Sequence, residues 1–243
     1  MANNLRIQSN TTSANGALYS AALLRQTDNA VSASAIPDIS AASAFVARTW
    51  IETAAGQTRI QDLRAGDLVM TADAGAQPIV RMRKITMPYT RLAEQPHLKP
   101  IRLPDGFLGA SRPLLVSPEQ RIMISSPMAE LMFDASEVLA VAKDFIGLGA
   151  EAVMPLALYL EYYQILLSDH HILKANGVTA ESLFVENNEA DEATHTQNWD
   201  AADDLKLGTV SHTQVARPVL KKFEVEALMT AVSNRSNKVA KTA

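Results

Sequence analysis

The chain has 243 residues, 47% of them hydrophobic and 20% charged, with a formal net charge of −4 and no cysteine. That length suits one domain with extensions or two small ones. The mild acidity, with no clustered basic face, argues against nucleic acid as a partner. The missing thiols exclude disulfides, thiolate metal sites and cysteine nucleophiles.

Residues 1–43 are rich in Ser, Ala, Asn and Thr and read as a loosely structured lead-in, with room for two helical turns at 17–24. No apolar run approaches the roughly 20 residues of a membrane span. No basic stretch leads the apolar residues 16–24 to a cleavage site, so no signal peptide is expected. The cytoplasm is the default compartment, with secretion by other routes left open. From Phe45 onward, short apolar runs alternate with Gly, Pro and Asp turns, the pattern of an all-β domain. Strands are expected from Trp50, at 68–71, 78–82, 101–103, 114–116, 121–124, 137–139, 162–167 and 171–174. Asn176-Gly177 then supplies a hairpin signal, and a short helical turn is expected at 142–145.

Residues 187–216 form an acidic, weakly apolar loop, read as solvated. Arg217-Pro218 opens a helix expected over 217–231, with Leu220, Phe223 and Leu228 docked on the body. Residues 232–243 read as a frayed tail.

Five motifs stand in order in the domain at 44–186. They are Phe45-Val46-Ala47-Arg48-Thr49; Asp62-Leu63-Arg64-Ala65-Gly66-Asp67 running into Leu68 to Thr71; Val116-Ser117-Pro118-Glu119-Gln120; Glu137-Val138-Leu139; and Tyr162-Tyr163-Gln164 with Asp169-His170-His171, Asn176-Gly177 and Ala180-Glu181-Ser182. In this order the chain resembles the bacterial Hint (hedgehog/intein) domain family. The resemblance implies a mainly β, horseshoe-like Hint fold and descent from autoprocessing proteins that cleave or splice.

The chemistry implied by that resemblance is an acyl shift. A Cys or Ser at the first position attacks the preceding carbonyl, a His protonates the departing nitrogen, and hydrogen-bond donors stabilise the oxyanion. This sequence departs at the decisive places. The nucleophile position falls on Ala44, a methyl group. The Ser-Pro-x-His motif ends on Gln120, and the Tyr-x-His strand carries Gln164; an amide donates hydrogen bonds but does not shuttle protons near neutral pH. His171 matches the retained Asp-x-His position. Ser43, one residue early, is a surrogate nucleophile candidate or an ordinary linker serine.

No catalytic residue is therefore assigned with certainty, and no cofactor is implied. A metal site is not expected, since His170 and His171 on a strand point to opposite faces. Asp67 reads as a turn-former, Ser117 as a partner of local backbone, and His97, His195 and His212 as solvent-facing. The reading that follows is a Hint domain that does not cut itself and is retained as a binding or structural module with an unidentified protein partner. Two alternatives stay open: a self-cleaving protein using Ser43, and an unrelated soluble β-rich binding domain.

Overall fold

The computed structural model describes residues 43–185 and 210–240. The lead-in, most of the acidic loop including His195, and the last three residues lie outside the described residues. Within them the chain is mainly β. The strands are β1 (Phe45–Val46), β2 (Trp50–Thr53), β3 (Gly56–Arg59), β4 (Leu68–Thr71), β5 (Gly75–Pro78), β6 (Arg81–Pro88), β7 (Ile101–Leu103), β8 (Leu114–Val116), β9 (Arg121–Ser125), β10 (Glu137–Val141), β11 (Glu151–Ala152), β12 (Tyr159–Leu166), β13 (Ile172–Ala175) and β14 (Val178–Glu181). They form two antiparallel sheets. One runs β11-β7-β8-β1-β12-β6; the other runs β10-β9-β14-β13-β2-β4-β5, with β3 beside β2.

The chain changes sheets twice near its start, and both changes have local causes. Between β1 and β2, Arg48 takes φ 71, a left-handed conformation costly for a side chain bearing Cβ. Its amide is held by Gln61 Oε1 at 2.8 Å, and the Thr49 hydroxyl bonds the Val46 carbonyl at 2.7 Å. The second change falls where a single strand is expected over 78–82. The strand breaks at Ile79-Val80 because Ile79 is tied to Gly66 and Asp67 of the first turn, whereas the Val80 amide bonds the Leu166 carbonyl of the other sheet. Asp67 is the turn-former expected, its carboxylate accepting the Arg64 amide at 2.8 Å.

Residues from both sheets, including Phe45, Ile51, Val116, Ile122, Ile165 and Leu173, form one buried cluster. β12 lies between β1 and β6 and is buried on nearly its whole length. The Tyr162 hydroxyl bonds the Leu98 carbonyl, and burial pushes its phenol far above the usual range. The Asn176-Gly177 hairpin forms as expected. Asn176 adopts φ 50 and spends its side chain on two distant backbones, accepting from Trp50 N–H and donating to Pro113 O, each at 2.8 Å. A Cβ on Gly177 would stand 2.7 Å from the Gly109 carbonyl oxygen, so only glycine fits there.

Three α-helices are present among the described residues: α1 (Tyr89–Glu94), α2 (Pro127–Phe133) and α3 (Lys222–Ala240). The last begins later and runs further than expected. Residues 218–220 are extended instead and add to β10, with Leu139 N–H bonding Pro218 O and Leu220 N–H bonding Leu139 O. The helix starts where Glu224 reaches back to the Lys221 amide at 2.7 Å, half of a capping box. Leu220 and Leu228 are buried as expected. Phe223 is not: it is 64% exposed, and Val225 takes the buried place. Leu228→Ala should therefore cost about 2–5 kcal/mol, whereas Phe223→Ala should stay within about 0.5 kcal/mol. Denaturant midpoints of the two variants check this, and equal shifts would mean that the helix docks by another face. No helix among the described residues is long and apolar enough to cross a membrane.

Candidate functional site

The amide joining Ser43 to Ala44 is held at both ends. Ala44 is 1% exposed. Its N–H donates to Ser117 Oγ at 2.9 Å, and its own carbonyl accepts from the Ser117 amide at 2.8 Å. On the other side of the bond, Gln164 Nε2 donates to the Ser43 carbonyl oxygen at 3.1 Å.

Each holder is placed by its element. Ser117 opens a turn after β8, closed by the Gln120 amide on the Ser117 carbonyl at 3.1 Å, with Pro118 in the second position that its fixed φ favours. The Ser117 hydroxyl accepts from a residue 73 positions away, because β1 pairs beside β8 and brings Ala44 to the turn. Gln164 lies on β12, the strand on the other flank of β1. Directly opposite it on β6 stands Arg83, half-buried, its guanidinium pKa lowered by desolvation.

Gln120 is wholly buried but turns its amide to other partners. Nε2 donates to the Glu181 carbonyl at 3.0 Å and, more weakly, to that of Arg121 at 3.3 Å. Among the described residues, the buried Oε1 atoms of Gln120 and Gln164 have no hydrogen-bond partner. The Gln120 side chain is therefore linked to the 43–44 amide through Glu181 and Ser43, and its backbone through Ser117.

Glu181, at the end of β14, is the residue that the sequence does not single out. Its side chain is fully buried. One carboxylate oxygen accepts the Ser43 hydroxyl. The other lies 3.2 Å from Arg121 Nη1 and 3.0 Å from His170 Nε2. The imidazole approach is too oblique for an aligned hydrogen bond. His170 Nδ1 accepts the Ala216 amide at 2.8 Å, so the neutral ring carries its proton on Nε2, toward the carboxylate. Of the two adjacent histidines, His170 therefore supplies the ring beside Glu181. His171 is joined to Ser182 through backbone, its N–H on Ser182 Oγ at 3.1 Å and its carbonyl on the Ser182 amide at 2.8 Å. Neither histidine lies in a strand, because β13 begins only at Ile172, so the strand alternation expected of the two is not what separates their roles.

His212 corrects another expectation. It is 5% exposed rather than solvent-facing. Its ring packs with Phe184 and His170 at centroid separations of 5.6 and 5.9 Å. His97, by contrast, is exposed.

Comparison with known proteins bears on this arrangement. Residues 43–187, more than half of the chain, match the family described as the Hint domain. Among solved structures, the chain is similar to a splice-inactive variant of the AceL NrdHF class 3 split intein, with 14% identity and a TM-score of 0.39, covering 57% of this chain and 96% of that one. It is similar to the gp41-1 intein at 15% identity and TM-score 0.36, over 57% of this chain and 97% of that one. A bacterial intein-like domain from Clostridium thermocellum gives 13% identity and TM-score 0.37 over 57% and 97%. No curated protein matches.

Proposed function

The chain belongs to the Hint domain family, and from that premise we propose that it holds the 43–44 peptide bond without breaking it, a non-processing Hint domain kept as a binding or structural module. The observation that carries this reading is the grip itself. Both ends of the amide are bonded, to Ser117 and to Gln164, yet the side chain beside the carbonyl is the methyl group of Ala44. The family's acyl shift needs a lone pair at that place and a proton for the departing nitrogen. Gln120 and Gln164 donate hydrogen bonds but do not supply that proton. Purified protein should show one species at the mass of the whole chain after days at neutral pH. Appearance of a fragment beginning at Ala44 would end this reading.

A second reading is favoured by one contact, the Ser43 hydroxyl on Glu181. Ser43 Oγ would attack the carbonyl of residue 42, with its proton passing to Glu181. The 42–43 C–N bond would break as the nitrogen takes a proton, and water would then hydrolyse the ester. This route cuts before Ser43, not before Ala44, and is lost in Ser43→Ala, so the fragment masses separate the two readings. The first is preferred because the 43–44 amide is held at both ends while the residue after its carbonyl carries no nucleophile. The unrelated β-rich binding domain is set aside by the family match.

A further inference from the structure

We infer that the contact between His212 and Val185 is an acid-sensitive latch holding residues 210–217 on the β-body, whether or not the domain cuts itself. The clasp is two-way. The His212 amide donates to the Val185 carbonyl at 2.8 Å, and the Val185 amide donates to His212 Nδ1 at 3.1 Å. With Nδ1 accepting, the neutral ring carries its proton on Nε2, which lies 3.3 Å from the Leu167 carbonyl oxygen. Among the described residues, every hydrogen bond of the ring is thus made by one tautomer of the neutral form. A second proton can enter only at Nδ1, where it displaces the Val185 amide and sets two N–H groups face to face.

The surroundings oppose that proton as well. Burial is the largest effect lowering the His212 pKa, the Leu167 carbonyl works against it, and the nearby rings of His170 and His171 lower it further while Asp169 raises it. Phe184 offers no compensating charge, and Glu181 on the far side of His170 is already shared by Arg121 and Ser43. Arg217, at the end of the same segment, is engaged with Asp73 and Glu137. A native value below the ordinary one of about 6.5 means that the opened form takes up the proton first. The clasp is closed above that pH and loses its hold as pH falls below it, down to the native value.

Amide exchange of the full chain tests the latch. After correction for chemical exchange rates, the opening constant at the Val185 amide should rise as pH falls below about 6.5, by at most about tenfold per pH unit, one proton per opening. The amides of Ile122 and Tyr163 should not follow. His212→Asn offers a non-titrating acceptor at the same place and should flatten the Val185 profile. NMR titration of His212 in the unmutated chain should give a value below about 6.5. A flat Val185 profile, a rise that persists in His212→Asn, or an imidazole that titrates at or above the ordinary value would each overturn the latch.

Discussion

Combining Ala44→Cys with Gln120→His is expected to make the chain cut before residue 44, with neither change sufficient alone. The positioning half of the reaction is already in place: Gln164 Nε2 lies on the oxygen where negative charge would develop, and Ser117 Oγ receives the N–H of the departing nitrogen. A thiol at position 44 supplies the attack and is intrinsically a better nucleophile than a hydroxyl. The tetrahedral intermediate collapses forward only if the nitrogen gains a proton, which an imidazole at 120 can relay and an amide cannot. A positioned acid or base contributes roughly a hundred- to ten-thousand-fold in rate, so the double variant should outpace Ala44→Cys by at least about a hundredfold. Intact mass with time after addition of a small thiol measures both. Equal rates for the single and double variants would remove Gln120 from the account and leave the missing nucleophile as the whole difference.

Replacing Glu181 should produce the largest loss of stability of any single polar substitution at the site. Its carboxylate is fully buried and joins β14 to Ser43 before β1, to Arg121 of β9 and to His170 before β13. Removing one partner of a buried ion pair typically costs about 3–5 kcal/mol, because the other charge stays behind. Arg121 keeps 28% of its side chain in solvent, which places Glu181→Ala near the lower end. Glu181→Gln retains an oxygen for the Ser43 hydroxyl and loses the charge, so about 1.5–3 kcal/mol is expected from the weakened bonds. Chemical denaturation of both variants at pH 7.5 decides. A loss under about 1 kcal/mol for Glu181→Ala would show that the network decorates the site rather than supporting it.

Much of this architecture is legible in the amino-acid sequence because strands write their period into it. β4, β7, β8, β9 and β12 fall on alternating or continuous apolar runs between turn residues, and Asn176-Gly177 marks its hairpin. What escapes is set by tertiary context. α2 is invisible to an apolar-stripe reading because Leu131 and Met132 are exposed; only its cap, Ser126 accepting the Met128 amide ahead of Pro127, announces it. The late start of α3 follows from the pairing of residues 218–220 with β10, a contact 80 residues away in sequence. At the site, Ala44, Gln120 and Gln164 stand out as substitutions in a recognisable pattern. Glu181, Arg121 and His170 fall within or beside the same motifs with nothing to mark them, and their convergence exists only once β14, β9 and the turn before β13 are assembled.

The place of β1 bears on how the chain can fold as it is made. Phe45 lies between Val116 on one side and Tyr163 on the other, so the first strand of the domain cannot complete both pairings until residue 163 has been synthesised. β2 waits longer, for Ala175 of β13. Sheets closed by such distant partners fold slowly, because loop entropy is spent before the contacts that repay it. Until then Phe45 and Ile51, both fully buried at the end, ride exposed on the nascent chain. The grip on the 43–44 amide is therefore among the last features to form, and any chemistry restored there would begin only after the sheet has closed around it.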